Sequence, residues 1–359
     1  MVLEVDGERV ALTNLDKVLW PADEAAGLPA HARRDFLRYL LCAGPYMLPH
    51  VKDRPLTLIR MPEGIGGRRF VHFHFEQKLP AFVDTISIWS EENSIAEEFL
   101  LCNNMPTLLW LAHVGTLELH VWHSRANPEP DAKAASTDFA SSAEALRRSI
   151  LSYPDYIVFD IDPYIYSGGE VAGGQPEFNV AAFDKGKVVA FRLKALLDAM
   201  GLQSRVKTSG KTGLHVLVPI VRTVSFDAAR ALAQTFAQHL VREHPEEITT
   251  EWDTTRRTGK VFFDYNMNVR VKTLSAPYSL RTVAGAPVSM PITWTDLEKA
   301  GPLDYRMDNV PALLEARGDL WADILDAKQK LESVLSTSAA NYEYTSPRSQ
   351  RARPRRRSG

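Results

Sequence analysis

The sequence predicts an α+β fold in which mixed and antiparallel central sheets are covered by helices. Strand patterns recur along the chain in RPLTLIRMPEG, LELHVW, YIVFDIDP and KVFFDYN. Helical periodicity lies between them, in RRDFLRYLL, in VVAFRLKALLDAM and around residues 227–243. Because hairpin signals occur alongside this alternation, a purely parallel sheet is not expected.

Composition limits the class of protein. The chain has 359 residues, of which 45% are hydrophobic and 24% charged, so it can bury a full core. No apolar run approaches the ~20 residues that cross a bilayer, and the acidic start MVLEVDGERV is not a signal peptide. The two cysteines, Cys42 and Cys102, form no Cys/His cluster. We expect a protein of a reducing compartment that neither spans a membrane nor contains a zinc ribbon or a disulfide framework.

Charge is distributed unevenly. The segment Ser346–Gly359 holds six of the 42 Lys and Arg residues and no acid, so the rest of the chain has 36 basic against 44 acidic residues, a net charge of −8. A body of this charge excludes nonspecific coating of nucleic acid. Any nucleic acid must bind in a local groove.

The elements of the first half follow in order. A helix is predicted from Arg33 to His50, ended or kinked at Pro45. RPLTLIRMPEG and FVHFHFEQK have strand spacing and predict a strand pair. Residues 107–114 suit a short buried helix, and the strand LELHVW follows it.

In the second half, residues 127–153 and 167–179 are predicted to be irregular surface insertions. YIVFDIDP is the clearest strand, and SRVKTSGKTGLHVLVPI predicts two strands joined by a turn. A helix over 227–243 has Ser225 as its cap. A late helix containing Trp321 and Leu331 is also expected.

These elements predict three regions. Residues 1–310 form the catalytic domain, residues 311–335 a C-terminal helix packed on it, and residues 336–359 a disordered basic tail.

Two carboxylates share one face of the YIVFDIDP strand. The strand period of two puts Ile157, Phe159 and Ile161 on one face. Asp160 and Asp162 lie on the other, roughly 7 Å apart. Such a pair can hold divalent cations for phosphoryl transfer, although a solvated strand end has the same pattern.

A third acid ends another strand. Asp264 follows the apolar run in KVFFDYN, and it could converge with Asp160 and Asp162 at one sheet edge. Alone it would be read as a turn or cap residue, but the three together favour a metal site.

The segment TSGKTGLH invites a P-loop interpretation that fails, because Arg205 stands where the first glycine of that motif is required. The alternative is a tight turn at Gly210 whose amides, with Ser209 and His215, hold a triphosphate.

Basic residues gather around the third acid, at Arg256, Arg257, Lys260, Arg270, Lys272 and Arg281. They suit triphosphate or nucleic-acid phosphates, although charges near strand ends are commonly just solvated. Phe73 and Phe75 could stack on unpaired bases, and packing in the core is the alternative for both.

Taken in order, these motifs identify a resemblance. From Leu12 to Trp294 the chain is similar to the polymerase domain of bacterial LigD, in the archaeo-eukaryotic primase superfamily. The similarity rests on LTNLDKVLWP, RPLTLIRMPEG, FEQK, TLLWLA, LELHVWHSR, PDYIVFDIDP, SGKTGLH, FFDYN, APYSLRT and PVSMPITW.

The resemblance implies a primase-polymerase core that performs template-dependent nucleotidyl transfer. Asp160, Asp162 and Asp264 would hold two Mn2+ (or Mg2+) ions, and NTPs or dNTPs would be the substrates, with ribonucleotides preferred. By the same resemblance, contacts with the incoming nucleotide are expected from His120, Ser209, Gly210, His215, Arg257, Lys272 and Arg281.

The resemblance also implies DNA contacts. Lys17 would bind the 5' phosphate beyond a gap or break, and Phe73 and Phe75 would stack on the template base. Relatives carry a second phosphate-binding lysine near Gly27, where this chain offers only Arg33 or Arg34.

No KxDG ligase motif occurs in the chain. We therefore expect a free-standing primase-polymerase of the bacterial cytoplasm, associated with the nucleoid. It would act on gapped or broken DNA with a separate DNA ligase, and with the end-binding protein Ku as a further partner. Break repair and short-gap excision repair both fit.

Two other functions fit part of the pattern. A metal-dependent nucleotide-sugar glycosyltransferase also uses Asp-x-Asp at a strand end, but needs neither Lys17 nor a DNA groove. A DNA-end-bridging protein could keep the fold and the 5' phosphate pocket without catalysis.

Overall fold

The computed structural model describes residues 1–73, 78–163, 179–257 and 259–331. Within these ranges it contains five sheets with helices packed around them, which confirms the predicted α+β class. The strands are β1 (Val2–Val5), β2 (Glu8–Ala11), β3 (Val18–Trp20), β4 (His31–Ala32), β5 (Leu56–Arg60), β6 (Phe70–His72), β7 (Thr85–Ser90), β8 (Ile95–Leu100), β9 (Thr116–Trp122), β10 (Tyr156–Pro163), β11 (Arg205–Thr208), β12 (Leu214–Pro219), β13 (Ile248–Thr249), β14 (Val261–Asp264), β15 (Thr273–Ser275) and β16 (Pro291–Ile292). The helices are α1 (Arg33–Val51), α2 (Met105–His113), α3 (Ala143–Arg148), α4 (Val180–Ala199), α5 (Phe226–Glu243), α6 (Trp294–Lys299) and α7 (Val310–Arg317).

A six-stranded sheet forms the centre, in the order β13-β14-β10-β12-β11-β16. All of its neighbours are antiparallel except β13 and β14, which run parallel, so the sheet is mixed. The predicted strand-turn-strand unit is the β11–β12 hairpin. Strand β10, the YIVFDIDP strand, lies between β12 and β14 and is central.

The two faces of β10 differ as its alternation predicts. Ile157, Phe159 and Ile161 are fully buried in the main core, on the side covered by α4 and α5. The Phe159 ring meets Phe236 of α5 edge-on, at 5.7 Å between centroids. Burial of these side chains fixes which face of the sheet is left for polar residues.

Helix α5 forms as its sequence predicts. Ser225 caps it by accepting a hydrogen bond from the backbone N–H of Ala228. Its buried face includes Ala229, Leu232, Phe236 and Leu240.

A four-stranded antiparallel sheet, in the order β15-β9-β5-β6, faces the polar side of the central sheet. The predicted pairing of RPLTLIR with FVH is confirmed in the register Leu58↔His72. Ser275 of β15 approaches Lys207 of β11, with 3.4 Å between Oγ and Nζ. Residues of the two sheets therefore contact each other on this side.

Helix α1 corrects part of one expectation, because it does not end at Pro45 but continues through Pro49 to Val51. A kink at Pro45, the other predicted alternative, stays a prediction. Both prolines lie on the exposed side of the helix. Water can therefore hydrogen-bond the backbone carbonyls that lose a proline partner.

The end of the chain corrects another. Helix α7 ends at Arg317 before Gly318, which has φ +68°, and residues 320–326 form successive turns instead of the expected late helix. Trp321, Ile324 and Leu331 are nonetheless buried. The apolar spacing therefore predicted correctly that these residues are buried, but wrongly that they form a helix. The expected disordered tail, 336–359, lies outside the described residues.

The segment 127–153 is more than a surface excursion, because a buried ionic cluster ties it to the core. Its Asp131 accepts hydrogen bonds from Arg222 at 2.7 Å and from Lys328 at 2.6 Å. Lys328 also contacts Asp155, at 2.6 Å, directly before β10. Of the other expected insertion, 167–179, only Asn179 is described, as the cap of α4.

Across the described ranges, every helix is too short or too polar to traverse a bilayer.

Candidate active site

The three predicted carboxylates meet on the polar face of the central sheet. Asp160 of β10 is directly opposite Asp264 of β14 on one side and His215 of β12 on the other. Directly paired residues of antiparallel strands point to the same face, with Cα atoms about 4.5–5.5 Å apart. Asp162 lies two residues along β10 and shares that face. The predicted convergence of distant acids is therefore present in the strand register.

These carboxylates are held where negative charge is unfavourable. Burial, with the charges of Asp162 and Asp264, raises the pKa of Asp160 well above its usual value. Burial and Asp264 raise the pKa of Asp162 to about 6. Burial also raises the pKa of Asp264, although a hydrogen bond from the N–H of Asn266 lowers it in part. Three desolvated acids on one face of the sheet call for a positive counter-charge.

The donor set suits a hard divalent cation. Asp160 Oδ1 is buried without a hydrogen-bond partner, and carboxylate oxygens are the ligands that Mg2+ and Mn2+ prefer. One Asp264 oxygen is used to cap the turn at Tyr265–Met267, so the cap reading of that residue is also correct. In the described ranges no three His, Cys, Asp or Glu side chains are arranged to hold a metal ion. Binding one would require these carboxylates to turn toward a common point.

The glycine turn between β11 and β12 lies against the acids. Gly210 has φ +73°, and a Cβ on it would come within 2.6 Å of Arg281 Cγ. Ser209 Oγ accepts hydrogen bonds from the amides of Lys211 and Gly213, each at 3.1 Å. These two amides are therefore occupied by the Ser209 side chain, and the expectation that the turn holds a triphosphate stays a prediction.

The turn is also close to Asp162. A Cβ on Gly213 would come within 2.8 Å of Asp162 Oδ1, so this position tolerates only glycine without movement of the acid. Burial and Arg281 lower the pKa of Lys211 to about 8. The turn thus combines a basic side chain with close access to the carboxylates.

Arg281 joins the turn to the second sheet. Its Nη1 donates to the backbone oxygen of Ser209 at 2.5 Å, and its Nε lies 3.1 Å from Glu118. Glu118 also accepts from the amide and hydroxyl of Thr282 and contacts His120 at 2.9 Å. Burial opposes the charge on Glu118, but Arg281 and then His120 lower its pKa well below the usual value.

Sequence reasoning missed Glu118. In LELH it alternates with His120, so both lie on one face of β9. This spacing indicated that Glu118 lies beside His120. Its ion pair with Arg281, which comes from a distant segment, was not visible in the local sequence.

Sequence reasoning also missed Lys207. It is fully buried on β11 opposite His215, and its Nζ lies 2.6 Å from His215 Nδ1. Burial and then Arg281 lower the pKa of Lys207 well below its usual value. Burial, followed by Lys207, lowers that of His215. Asp264, Asp160, His215 and Lys207 therefore form one continuous row across four strands.

Two other predicted nucleotide contacts border the acids. Lys272 is exposed and lowers the pKa of Asp264 through its charge. Arg257 donates to the backbone oxygens of Glu251 and Trp252 and stacks on Phe262, 3.5 Å from the ring centre. Arg257 thus anchors its own loop.

The basic residues predicted to bind DNA have partners other than the three acids. Lys17 forms an ion pair with Glu63, at 2.6 Å from Nζ to Oε2. Arg34 pairs with Asp16, and Arg33 is buried with Nη1 bonded to the Thr13 carbonyl.

Phe73 is 42% exposed and lines a groove of about 770 Å³ beside the β7–β8 hairpin. The core alternative for this residue is therefore wrong. Phe75 lies outside the described residues.

Comparison with known proteins agrees with this geometry. Residues 32–321 match the family described as "LigD, primase-polymerase domain". The chain is 30% identical over 92% of its length to the multifunctional non-homologous end joining protein LigD of Mycolicibacterium smegmatis, of which it covers 38%. It is 27% identical over 86% of its length to the bifunctional LigD of Bacillus subtilis, of which it covers 43%. The chain thus spans about two fifths of the length of these relatives.

A solved structure is also similar. The polymerase domain of Mycobacterium tuberculosis Ligase D, in complex with DNA, aligns with a TM-score of 0.71 and 28% identity. The alignment covers 89% of this chain and 99% of that domain. The family match spans well over half of the sequence, and the fold agrees with it. The chain therefore belongs to the LigD primase-polymerase domain family, a family of nucleotidyltransferases.

Proposed function

We propose that this protein adds nucleotides to DNA 3' ends, directed by a template, at gaps or breaks that carry a 5' phosphate. The row of Asp264, Asp160 and His215 across three adjacent strands, with Asp162 on the same face, carries this proposal. Phosphoryl transfer needs negative groups that recruit cations and positive groups that bind phosphate. Both kinds of group are present here, because Lys211, Lys272 and Arg281 lie near the three acids.

The carboxylates would hold two divalent cations, Mn2+ or Mg2+. When bound, such ions activate the 3' hydroxyl as a nucleophile and neutralise the charge of the triphosphate. Asp160, Asp162 and Asp264 place hard oxygen donors on one desolvated face of the sheet. Their mutual repulsion favours the binding of a divalent cation between them.

The basic residues near the carboxylates would bind the triphosphate. Arg281 is fixed by Ser209 on one side and Glu118 on the other, so its guanidinium is already oriented. Lys211 and Lys272 add positive charge near the acids. Their role is to hold the α-phosphorus in line with the 3' hydroxyl, so that the oxygen attacks and pyrophosphate leaves.

The DNA would bind beside these carboxylates. The related Mycobacterium tuberculosis domain was solved in complex with DNA, which supports a DNA substrate here. Phe73 is exposed at a groove and can stack on an unpaired template base. Lys17 would receive the 5' phosphate in exchange for Glu63.

The names of the relatives support a role in DNA end joining. A separate DNA ligase and Ku would then be partners, and ribonucleotides the preferred substrates, as the family resemblance implies. Short-gap filling in excision repair uses the same chemistry.

A primer-extension assay tests the proposal. We expect one or a few nucleotides to be added to a gapped duplex in Mn2+, with NTPs preferred over dNTPs. Asp160→Ala with Asp162→Ala should remove this activity, while Asp198→Asn, at an exposed site on α4, should not. Equal activity in the double variant would assign the extension to another enzyme and favour an end-bridging role. No extension by the parent chain with any nucleotide would reject the proposal.

A further inference from the structure

A buried lysine lies behind His215. Lys207 is fully buried, and three possible acceptors surround its side-chain nitrogen. These are His215 Nδ1 at 2.6 Å, Ser289 Oγ at 2.5 Å and Ser275 Oγ at 3.4 Å. The nitrogen carries two N–H donors as a neutral amine and three when protonated, so in either form it can donate to the two nearest atoms, His215 Nδ1 and Ser289 Oγ.

The direction of each hydrogen bond follows from the neighbours. Ser289 Oγ donates to the backbone oxygen of Thr208 at 3.1 Å, so its lone pair is free to accept from Lys207. On the far side of the ring, His215 Nε2 lies 3.4 Å from Asp160 Oδ1. Asp160 Oδ1 is buried and has no hydrogen-bond donor of its own, and such an oxygen is best faced by an N–H, so Nε2 is expected to carry the hydrogen. Nδ1 is then the acceptor, and Lys207 is its donor.

We propose that Lys207 is a positioning residue that fixes the Nε2–H tautomer and the ring orientation of His215. This inference rests on the proposed function, because the fixed N–H is directed to the carboxylate row where the triphosphate would bind. A histidine ring can present either nitrogen as donor, and the partner of one nitrogen decides the role of the other. Lys207 thus acts on the reaction through His215 and does not touch the substrate.

The strand register makes this arrangement rigid. Lys207 and His215 are directly paired across β11 and β12, and His215 and Asp160 are directly paired across β12 and β10. Neither the histidine nor the lysine can move along its strand without breaking the sheet. The lysine is therefore a fixed support for the ring.

Nitrogen-detected NMR of histidine-labelled full-length protein tests the tautomer directly. We expect His215 to show a protonated Nε2 and an unprotonated Nδ1. A protonated Nδ1 in the parent protein would overturn the inference without any variant. This reading is independent of catalysis, so an inactive parent protein would reject the proposed function and leave the tautomer result to stand.

Variants test the consequence for catalysis. Lys207→Met keeps an unbranched side chain, one atom shorter, but removes the donor, and should lower kcat/KM for nucleotide addition about 10- to 100-fold, the usual effect of losing one hydrogen bond to a charged group. His215→Gln presents an amide N–H that needs no tautomer. In that background, Lys207→Met should cause little further loss.

Ser289→Ala is the matched control. It removes another partner of Lys207 but leaves the contact with His215, so its kcat/KM should stay within a few-fold of the parent. Equal losses from Ser289→Ala and Lys207→Met would indicate a merely structural role. Full additivity of Lys207→Met with His215→Gln would do the same, and both outcomes overturn the inference.

Discussion

Replacing Asp162 with asparagine should stabilise the folded protein in metal-free solution while removing its nucleotide transfer. Burial and the charge of Asp264 raise the pKa of this carboxyl from 3.8 to about 6. Asparagine has nearly the same shape without the charge. The variant therefore keeps the packing and loses the unfavourable ionisation.

The magnitude follows from linkage. A shift from 3.8 to about 6 corresponds to about 3 kcal/mol at a pH above both values. The folded-state pKa of an acid is raised here, so the charged form destabilises the fold at pH 7. This cost falls as the pH drops through 6 and is absent below 3.8. The contribution of Asp162 to the free energy of unfolding thus rises on acidification between these values.

Urea unfolding at pH 7.5 in EDTA measures the effect. We expect Asp162→Asn to increase the free energy of unfolding by up to about 3 kcal/mol, with a smaller difference at pH 4.5. Added Mn2+ should raise the thermal midpoint of the parent protein more than that of the variant, because the variant has one carboxylate ligand fewer.

Asp155→Asn is a control of the same chemistry with the opposite sign. Burial of Asp155 raises its pKa, but Arg54, Lys328 and other cations reverse this and lower it below the usual value. Removing the charge leaves buried cations unpaired, which should destabilise the fold by about 3–5 kcal/mol. If Asp162→Asn also destabilises the protein at pH 7.5, the carboxylate row is not electrostatically strained and the reasoning is wrong.

The remaining predictions concern the glycine turn and the 5' phosphate. Gly210→Ala should raise the KM for nucleotide about tenfold or more, because its Cβ would displace Arg281, whereas Gly201→Ala, with φ +72° and no atom within 4 Å, should lose only about 1 kcal/mol of stability; equal KM values for the two variants would contradict this. Lys17→Ala should weaken binding to gaps with a 5' phosphate and leave gaps without one nearly unchanged, as measured by fluorescence anisotropy; equal loss on both would reject the pocket. Glu63→Gln should strengthen the phosphate-dependent binding up to about fivefold by releasing Lys17 from its ion pair; unchanged affinity would show that this pair does not compete with phosphate.

Local patterns were sufficient for several parts of the fold. The period of two in YIVFDIDP placed Asp160 and Asp162 on the face opposite Ile157 and Ile161, as observed. The cap at Ser225 was also correct. The late helix was wrong, because apolar spacing reports which residues are buried and turns can bury them as well.

The sequence by itself determined which residues of a strand share a face, since side-chain alternation follows from backbone geometry alone. The motif order likewise determined the family. Only the tertiary structure decided that β10 lies between β12 and β14, in the register that aligns Asp160 with Asp264 and His215. It also decided that Lys207 extends this row and that Glu118 meets Arg281. Register between distant strands depends on the packing of the whole core, and no local pattern contains that information.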